Sequence, residues 1–473
     1  MPLSWGDALP FLSNMGGQEV IDDFRGALNI TYRYGDEVNQ ASVVVEMNYE
    51  VKTLYNVRAK IVGSSEPDKV VLVGNHHDAW TFGAADPNSG SSAMLEVMRC
   101  FSELISEGWS PKRSIWFHSW DGEEHNLLGS TWYGEKYAAE LQEKGVAYIN
   151  MDVGAAGPNF STGVSPSLIV LIEEMAGKVP YPGNEDNSTE TILDHWDDLN
   201  DRQVLVLGSG SDFTVFIDHL GIPSIDFGFR AGGRGASYGV YHSAYDNTNW
   251  MEKFGDPGYL FHQGSARLLG SLIIRLSEDD HYPMDFTVYG GNLEVYYDTL
   301  EELIDSHNAT EVDIVPILEA VTEFLETAIN FKDEISEYLE FGWPDTTTRL
   351  EINQRMQDSE RSFIIPRGLP ERPWYRHIVQ APGLFLGYGA QVFPGVTQAI
   401  LEGNWEVAND QVAVAAGVIK QASDMLKPPT QDNKANFILL YVVLGLAGIV
   451  VIAAIVVAIC YCRKSKKQYE EVS

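Results

Sequence analysis

Histidine and aspartate side chains crowd the short segment "GNHHDAWTFGAAD" (residues 74–86), which follows the apolar run "VVLV". His76 and Asp78 are two residues apart, so in an extended chain they share a face while His77 points away. A metal-binding imidazole is commonly held from behind by a carboxylate. The spacing therefore favours a metal ligand at His76 that Asp78 orients, although a lone histidine more often has a structural role.

Two further acidic positions have a structural and a chemical interpretation. Asp86 directly precedes Pro87, as an N-cap residue precedes a proline in the first helical turn. Glu123 and Glu124 lie between an apolar run and an apolar helical pattern, where they could form a solvated turn. Adjacent carboxylates can also divide the work of a metal site, one binding the ion and the other transferring protons.

The predicted strands and helices around these residues place their side chains close together. Apolar runs end near residues 75, 120 and 152 and are separated by helix-length segments at 87–107 and 127–144. This alternation is typical of an α/β sheet with parallel strands. Ligands gather at the carboxyl ends of such strands. We therefore expect His76, the segment 121–125 and Asp152 to converge on one cleft.

The rest of the chain suggests further segments. The alternating stretch 41–51 predicts a half-exposed strand that forms a hairpin with 55–63. We expect an α/β domain over residues 1–290 with a mixed sheet. Helical periodicity then predicts an α-helical domain over 291–425, and the polar stretch 426–436 reads as a linker.

Composition limits the class of protein. With 44% hydrophobic and 21% charged residues, the chain has an ordinary globular composition. Its formal charge of −35 would repel nucleic acid, so we expect no nucleic-acid partner. Cys100 is the one cysteine outside the apolar segment near the C-terminus, so an internal disulfide is not expected.

The C-terminal region predicts a membrane anchor. Residues 437–462 carry no charge and exceed the roughly 20 residues that a transmembrane helix needs. The basic cluster that follows, in the tail 463–473, indicates a cytoplasmic C-terminus and hence a globular part outside the cell at the plasma membrane. The alternative is a tail-anchored protein whose globular part stays in the cytosol. Asn-x-Ser/Thr sequons agree with that location, at Asn29, Asn159, Asn187 and Asn308. The first residues do not resemble a signal peptide, so we expect the native protein to begin further upstream.

Several motifs in this order resemble a known family. They are "GNHHD" with an aspartate ten residues after the histidine, "SWDGEEHNLLGST", "GVAYINMD", "LGSGSDFTVFIDHLGIPS" and "YHSAYDNTNWMEKFGDP". The chain resembles the zinc peptidases of the glutamate carboxypeptidase II and transferrin receptor family from about residue 2 to 425. The family's protease-associated domain is expected upstream of the stretch that matches.

The resemblance implies a site with two Zn²⁺ ions per chain and a family dimer. Asp86 would bridge the ions, His76 and Asp152 would bind one, and Glu124 and His242 the other. Glu123 matches the general base that deprotonates the zinc-bridging water. The remaining matches are Tyr241 as oxyanion donor, Asp78 as orienting carboxylate, and Gly210 and Tyr388 as substrate-binding residues.

Other positions depart from the glutamate-selective members. Gly387 stands where those members have a lysine, and Asp226 and Gly228 align with their arginine patch. An acidic substrate would lose compensating cations there. A Ca²⁺ site is doubtful, because Trp132 replaces one acidic ligand although Glu135 retains another.

These features predict a membrane-anchored two-zinc exopeptidase that acts on small peptides and does not select C-terminal glutamate. The sequence leaves open whether it is an aminopeptidase or a carboxypeptidase. The alternative is a receptor-like member of the same family without a working site. Because all five ligands and the base are present, we favour the enzyme.

Overall fold

A computed structural model describes residues 3–183, 189–231 and 238–429 of the chain. Two compact units divide between Thr53 and Leu54. The first contains helix α1 (Trp5–Ser13), which begins where the Ser4 hydroxyl accepts a hydrogen bond from the Asp7 amide at 3.1 Å. An isolated antiparallel bridge joins Glu19 to Arg33 in the same unit.

A six-stranded mixed sheet forms the centre of the second unit, in the order β1-β3-β2-β4-β6-β5. Strands β3, β2, β4 and β6 are parallel to their neighbours in this series, while β1 and β5 pair antiparallel at the two edges. The strands are β1 (Val57–Ile61), β2 (Glu66–His76), β3 (Arg113–Trp120), β4 (Gly145–Asn150), β5 (Asn159–Val164) and β6 (Ser224–Arg230). The predicted mixed sheet with parallel core strands is confirmed.

The central strands are buried because helices cover both faces of the sheet. Residues Val70 to His76 of β2 and all six residues of β4 are buried. Continuous apolar runs of this kind are typical of parallel strands. The helices from this part of the chain are α2 (Asn88–Ser106), α3 (Leu128–Lys136), α4 (Ala138–Lys144), α5 (Ile169–Ala176), α6 (Ile192–Asn200), α7 (Thr248–Trp250) and α8 (Leu260–Glu278).

The predicted hairpin between 41–51 and 55–63 is wrong. Residues 41–51 form no strand, and β1 pairs antiparallel with β3 instead. Arg58 and Lys60 of β1 lie over the Trp116 ring of β3, at 5.0 and 3.7 Å from its centroid. These cation–π contacts favour the pairing that forms, and alternation alone could not identify the partner strand.

A helical segment follows the sheet, as the periodicity predicts. Its helices are α9 (Phe286–His307), α10 (Val315–Phe341), α11 (Thr346–Arg361), α12 (Pro394–Leu401) and α13 (Trp405–Leu426). The sequence analysis missed a two-stranded antiparallel sheet formed by β7 (Gln380–Pro382) and β8 (Ala390–Val392). One continuous apolar core includes side chains of the sheet and of these helices, such as Ile149 and Phe324.

Within the ranges that the structure describes, no helix is both long and apolar enough to cross a bilayer. The predicted span 437–462, the tail 463–473 and most of the linker lie outside the described residues. The sequon at Asn187 also lies outside them. Asn29 and Asn308 are exposed, and Asn159 is half-buried at the start of β5.

Candidate metal centre

The carboxyl ends of β2 and β4 bring three predicted ligands together. His76 is the last residue of β2, and Asp152 follows β4 by two residues. The His76 Nε2 atom lies 3.0 Å from Asp152 Oδ1 and 3.4 Å from Asp86 Oδ1. We call His76, Asp86 and Asp152 the inner cluster, because the His76 side chain is fully buried.

A second group shares Asp86 with the first. The His242 Nε2 atom lies 3.2 Å from Asp86 Oδ2 and 3.1 Å from Glu124 Oε2. Asp86, Glu124 and His242 form what we call the outer cluster, in which the His242 side chain is 29% exposed. The two oxygens of Asp86 therefore face different imidazoles.

The helix-cap interpretation of Asp86 is wrong. Helix α2 begins at Asn88 with Pro87 at the cap position and no side-chain cap hydrogen bond. The Asp86–Pro87 peptide bond is cis, and the Asp86 carboxylate faces the two histidines instead. Proline at the residue after an aspartate is compatible with either arrangement, so the dipeptide alone could not separate them.

Two residues that the sequence analysis gave no role hold the inner part of the site. Asp246 accepts hydrogen bonds from the backbone amides of Ala85, at 2.8 Å, and Asp86, at 3.1 Å. The Asn75 amide donates to the carbonyls of Pro87, at 3.1 Å, and Asp152, at 3.3 Å. A signal was present, because Asn75 directly precedes His76 and Asp246 lies within the motif that contains His242.

Asp78, the predicted orienting residue, contacts His76 mostly through its backbone. The Asp78 carbonyl lies 2.9 Å from His76 Nδ1, whereas its carboxylate lies 3.5 Å away. The carboxylate oxygens instead accept the backbone amides of Glu123, at 3.0 Å, and Glu124, at 3.2 Å. One residue thus fixes the His76 ring and the turn that carries both glutamates.

Glu123 lies beside the inner cluster. Its Oε2 atom is 3.7 Å from His76 Nε2, and its side chain is buried. Burial, with the nearby charge of Asp152, raises the pKa of Glu123 to about 10. Burial and the charge of Asp86 raise the pKa of Glu124 to about 7. Several carboxylates are therefore packed together without a matching number of cations.

The arrangement fits metal ions. Each cluster offers one ligand atom per residue, with these atoms all within 4.8 Å of one another, and imidazole and carboxylate are ligands that zinc accepts. The buried Asp86 Oδ1 atom has no hydrogen-bond partner among the described residues. Burial raises the pKa of Asp86, but the two imidazoles outweigh burial and hold it at about 2. An ionised, under-coordinated carboxylate between two imidazoles is suited to bridging two cations.

Tyr241 and Tyr388 lie at the mouth of the site. The Tyr241 ring stacks on His242 with centroids 3.6 Å apart, and its hydroxyl lies 3.3 Å from that of Tyr388. Burial raises the pKa of Tyr241 above its usual range, so the hydroxyl keeps its proton. Gly210 lies beneath the Tyr388 ring, where a Cβ atom would come within 2.4 Å of it. The structure thus brings all three predicted residues to one place.

The structure shows the local contacts of the residues that depart from the glutamate-selective pattern. Gly387 has a positive φ of 60° and open space around it. Asp226 does not stand free in the cleft, because its carboxylate accepts the Asn150 amide at 2.9 Å. At the doubtful calcium position, the Glu135 carboxylate accepts the Trp374 indole at 2.7 Å while Trp132 is exposed. Glu135 is therefore already engaged by a protein donor.

Comparison with known proteins supports the family. The signature of peptidase family M28 matches residues 56–254, and that of the transferrin receptor-like dimerisation domain matches residues 312–427. The chain is 38% identical to a "Probable glutamate carboxypeptidase" of Arthroderma benhamiae over 89% of its own length and 60% of the relative's. It is 32% identical to the aminopeptidase NAALADL1 of Rattus norvegicus, over 91% of this chain and 61% of that protein.

Among solved structures, a zinc aminopeptidase from Bacillus subtilis matches 48% of this chain and 50% of that chain, at 19% identity and a TM-score of 0.37. The chain spans about three fifths of the length of the curated relatives named above. Both signatures and the relatives agree with the resemblance seen in the sequence motifs. The chain therefore belongs to peptidase family M28, among members that carry a transferrin receptor-like dimerisation domain.

Proposed function

We propose that the protein is a two-zinc exopeptidase that hydrolyses small peptides. The observation that carries this proposal is the position of Asp86, whose two oxygens face His76 and His242 separately. A single carboxylate between two such clusters is suited to bridging a pair of ions. The family and its relatives, named as carboxypeptidases and aminopeptidases, support the same reaction.

In this proposal His76 and Asp152 would hold the inner ion, Glu124 and His242 would hold the outer ion, and Asp86 would contribute to both. Zinc ions bound there would act as Lewis acids on water and on the scissile carbonyl, and their positive charge would lower the pKa of Glu123.

Glu123 serves as general base and acid. Its carboxylate would accept a proton from the attacking water and return it to the leaving amine. The buried position of Glu123 limits competition from bulk water. The backbone hydrogen bond from Glu123 to Asp78 keeps the base in place while its side chain transfers the proton.

Tyr241 serves as the donor to the developing oxyanion. Its raised pKa keeps the hydroxyl protonated at neutral pH, and its stacking on His242 keeps it beside the outer cluster. A donor placed where negative charge develops is worth roughly 3 to 4 kcal/mol in such reactions. The Tyr388 hydroxyl lies within reach of the Tyr241 hydroxyl, and Gly210 lies beneath the Tyr388 ring. Both residues would contact the substrate.

We further propose that C-terminal glutamate is not selected. Gly387 supplies no cation at the position where glutamate-selective members have lysine. A charged hydrogen bond to a carboxylate is worth roughly 1.5 to 3 kcal/mol, or about ten- to a hundredfold in affinity. A hundredfold preference for peptides ending in glutamate over neutral peptides would contradict this part of the proposal.

We separately propose a cellular location, an oligomeric state and glycosylation sites for the enzyme. The apolar segment 437–462 and the basic residues after it support a single-pass anchor at the plasma membrane with the catalytic part outside the cell. The dimerisation-domain signature supports a homodimer. The exposed Asn29 and Asn308 are better placed for glycan than the half-buried Asn159. A glycosidase gel shift on protein from a secretory host tests the location, and no shift would contradict it.

The central experiment combines metal analysis with peptide digestion. Protein purified without chelator should contain close to two zinc ions per chain and should release terminal residues from a peptide library. The end from which residues are released distinguishes aminopeptidase from carboxypeptidase. Folded, zinc-loaded protein without any hydrolysis would support the receptor-like alternative, and absence of zinc binding would overturn the metal centre.

A further inference from the structure

Asp226 lies on β6 beside the loop that carries Asp152. It is paired in register with Asn150 of β4, and its carboxylate accepts the Asn150 side-chain amide at 2.9 Å. The acid therefore contacts the side chain of a residue that lies two positions before a proposed zinc ligand.

Arg230 holds the next residue of the same loop. Its guanidinium donates to the Val153 carbonyl, one residue after Asp152. Gly228, between Asp226 and Arg230 on the strand, makes this possible. A Cβ atom at residue 228 would lie 2.1 Å from the Val153 oxygen and 2.7 Å from Arg230 Nη1. Only glycine leaves room there for the arginine and the loop together.

Side chains from outside β6 also hold the loop. The Ser265 hydroxyl donates to the Gly154 carbonyl at 2.6 Å, and the Ser89 hydroxyl accepts the Ala155 amide at 3.2 Å. Asn75 donates to the Asp152 carbonyl at 3.3 Å. With its backbone fixed at consecutive residues, the loop has little freedom to move the Asp152 carboxylate relative to His76.

A role for Asp226 in repelling acidic substrates fits this geometry poorly. Its carboxylate accepts a hydrogen bond from the Asn150 side chain, which is part of the protein. Burial raises the pKa of Asp226, while the Arg230 charge and the Asn150 hydrogen bond lower it. A residue that discriminated between substrates by charge would present its oxygens to the cleft.

We propose that Asp226 is a positioning residue that fixes the loop carrying Asp152 and thereby sets the affinity of the inner cluster for its metal ion. This inference rests on the proposed two-zinc function. Hydrogen-bonded partners behind metal ligands typically change metal affinity by about 10- to 100-fold when they are removed.

The test measures both zinc dissociation constants of the full-length protein by competition with a chromophoric chelator. Asp226→Ala should weaken one ion by about 10- to 100-fold and leave the other within about threefold. Asp226→Asn keeps one oxygen as an acceptor and should fall between wild type and the alanine variant. Hydrogen exchange of the 151–155 amides, measured without zinc, should be faster in Asp226→Ala.

Asp218→Asn is the matched control. Asp218 is a fully buried aspartate, whereas Asp226 is half-buried; it lies outside both clusters, and its carboxylate has no hydrogen-bond partner among the described residues. Its substitution should leave both zinc affinities unchanged. Gly228→Ala is an independent arm, because it should displace Val153 and weaken the same ion without touching the Asp226 carboxylate.

The outcomes separate the two proposals. If wild-type protein binds no zinc, the proposed function fails. If wild-type protein binds two ions and both Asp226 variants bind them equally well, the positioning role is wrong. A gain in kcat/KM for acidic peptides with unchanged zinc affinity would instead assign Asp226 to substrate selection. If Asp226→Ala does not fold, Asp226→Asn and Gly228→Ala still decide the question.

Discussion

The inner and outer clusters use the same ligand types in different surroundings. In the inner cluster His76 ends a central strand and is fully buried, while in the outer cluster His242 is 29% exposed. His242 also has a positive φ of 55°, a region that non-glycine residues seldom adopt and that is often found at functional sites. The comparison indicates a rigid half built into the sheet and an accessible half built from loops.

Asp86 belongs to both clusters, so its replacement should abolish metal binding at both. Asp86→Ala removes a proposed ligand from each ion and leaves His76 and His242 without their shared partner. We expect zinc content near zero and peptide hydrolysis below detection, by metal analysis and a fixed-peptide assay. Retention of both ions would show that Asp86 does not bridge them.

Glu123→Gln should separate chemistry from metal binding. The amide cannot accept a proton at neutral pH, yet residue 123 is not a ligand of either cluster. The rate should fall by about 10² to 10⁴-fold while both ions remain bound. Turnover close to that of the wild type, at unchanged zinc content, would remove Glu123 from the mechanism.

Two histidine variants test whether the inner cluster contributes more to the stability of the fold than the outer cluster does. His76→Ala and His242→Ala should each lose one ion, but their stabilities should differ. Without metal, replacing the buried His76 should cost about 1 to 3 kcal/mol of unfolding free energy, and replacing His242 should cost less than about 0.5 kcal/mol. Denaturant unfolding in chelator measures both, and equal costs would contradict the rigid-half interpretation.

The pH dependence of the metal-free protein is the most gradual effect, because it is spread over several pH units. Burial raises the pKa of Glu123 to about 10 and that of Glu124 to about 7, whereas both carboxyls have a usual value of 4.5. Above pH 4.5 the folded state therefore keeps protons that the unfolded chain has released. The free energy of unfolding should fall as pH rises from 4.5 to 7 and, through Glu123, on towards 10.

The expected slope is of the order of 1 kcal/mol per pH unit. Burial alone would lower the pKa of His76, but Asp152 and the neighbouring carboxylates raise it above its usual value of 6.5. Above pH 6.5 the free energy of unfolding should therefore fall with rising pH through His76 as well. Denaturant unfolding at several pH values in chelator tests this. Glu123→Gln should flatten the slope, and the same slope in that variant would contradict the assignment to Glu123.

The sequence predicted the sheet and the convergence of the site because both depend on local patterns. Apolar runs identify buried strands, and parallel strands deliver their carboxyl ends to one edge, so His76 and Asp152 could be placed together. Resemblance to family motifs then supplied His242, which no strand rhythm could place. The structure brings these residues within hydrogen-bonding distance of their expected neighbours.

The failures concern partners that are distant in sequence. The alternation in 41–51 predicted a strand but could not show that β1 would pair with β3. The Asp86–Pro87 dipeptide could not reveal which side chains the carboxylate faces. Alignment placed Asp226 at a substrate-contacting position, whereas its hydrogen bond with the Asn150 side chain depends on the register of β4 and β6.

The ligands come from well-separated parts of the chain, from His76 at the end of β2 to His242 just before α7. During synthesis the outer cluster therefore cannot exist until residue 242 has left the ribosome and packed against strands made much earlier. Contacts of such long range form late, because the intervening chain must first be ordered. Zinc would consequently be captured by an almost folded molecule, and it would secure the finished fold without guiding the chain towards it.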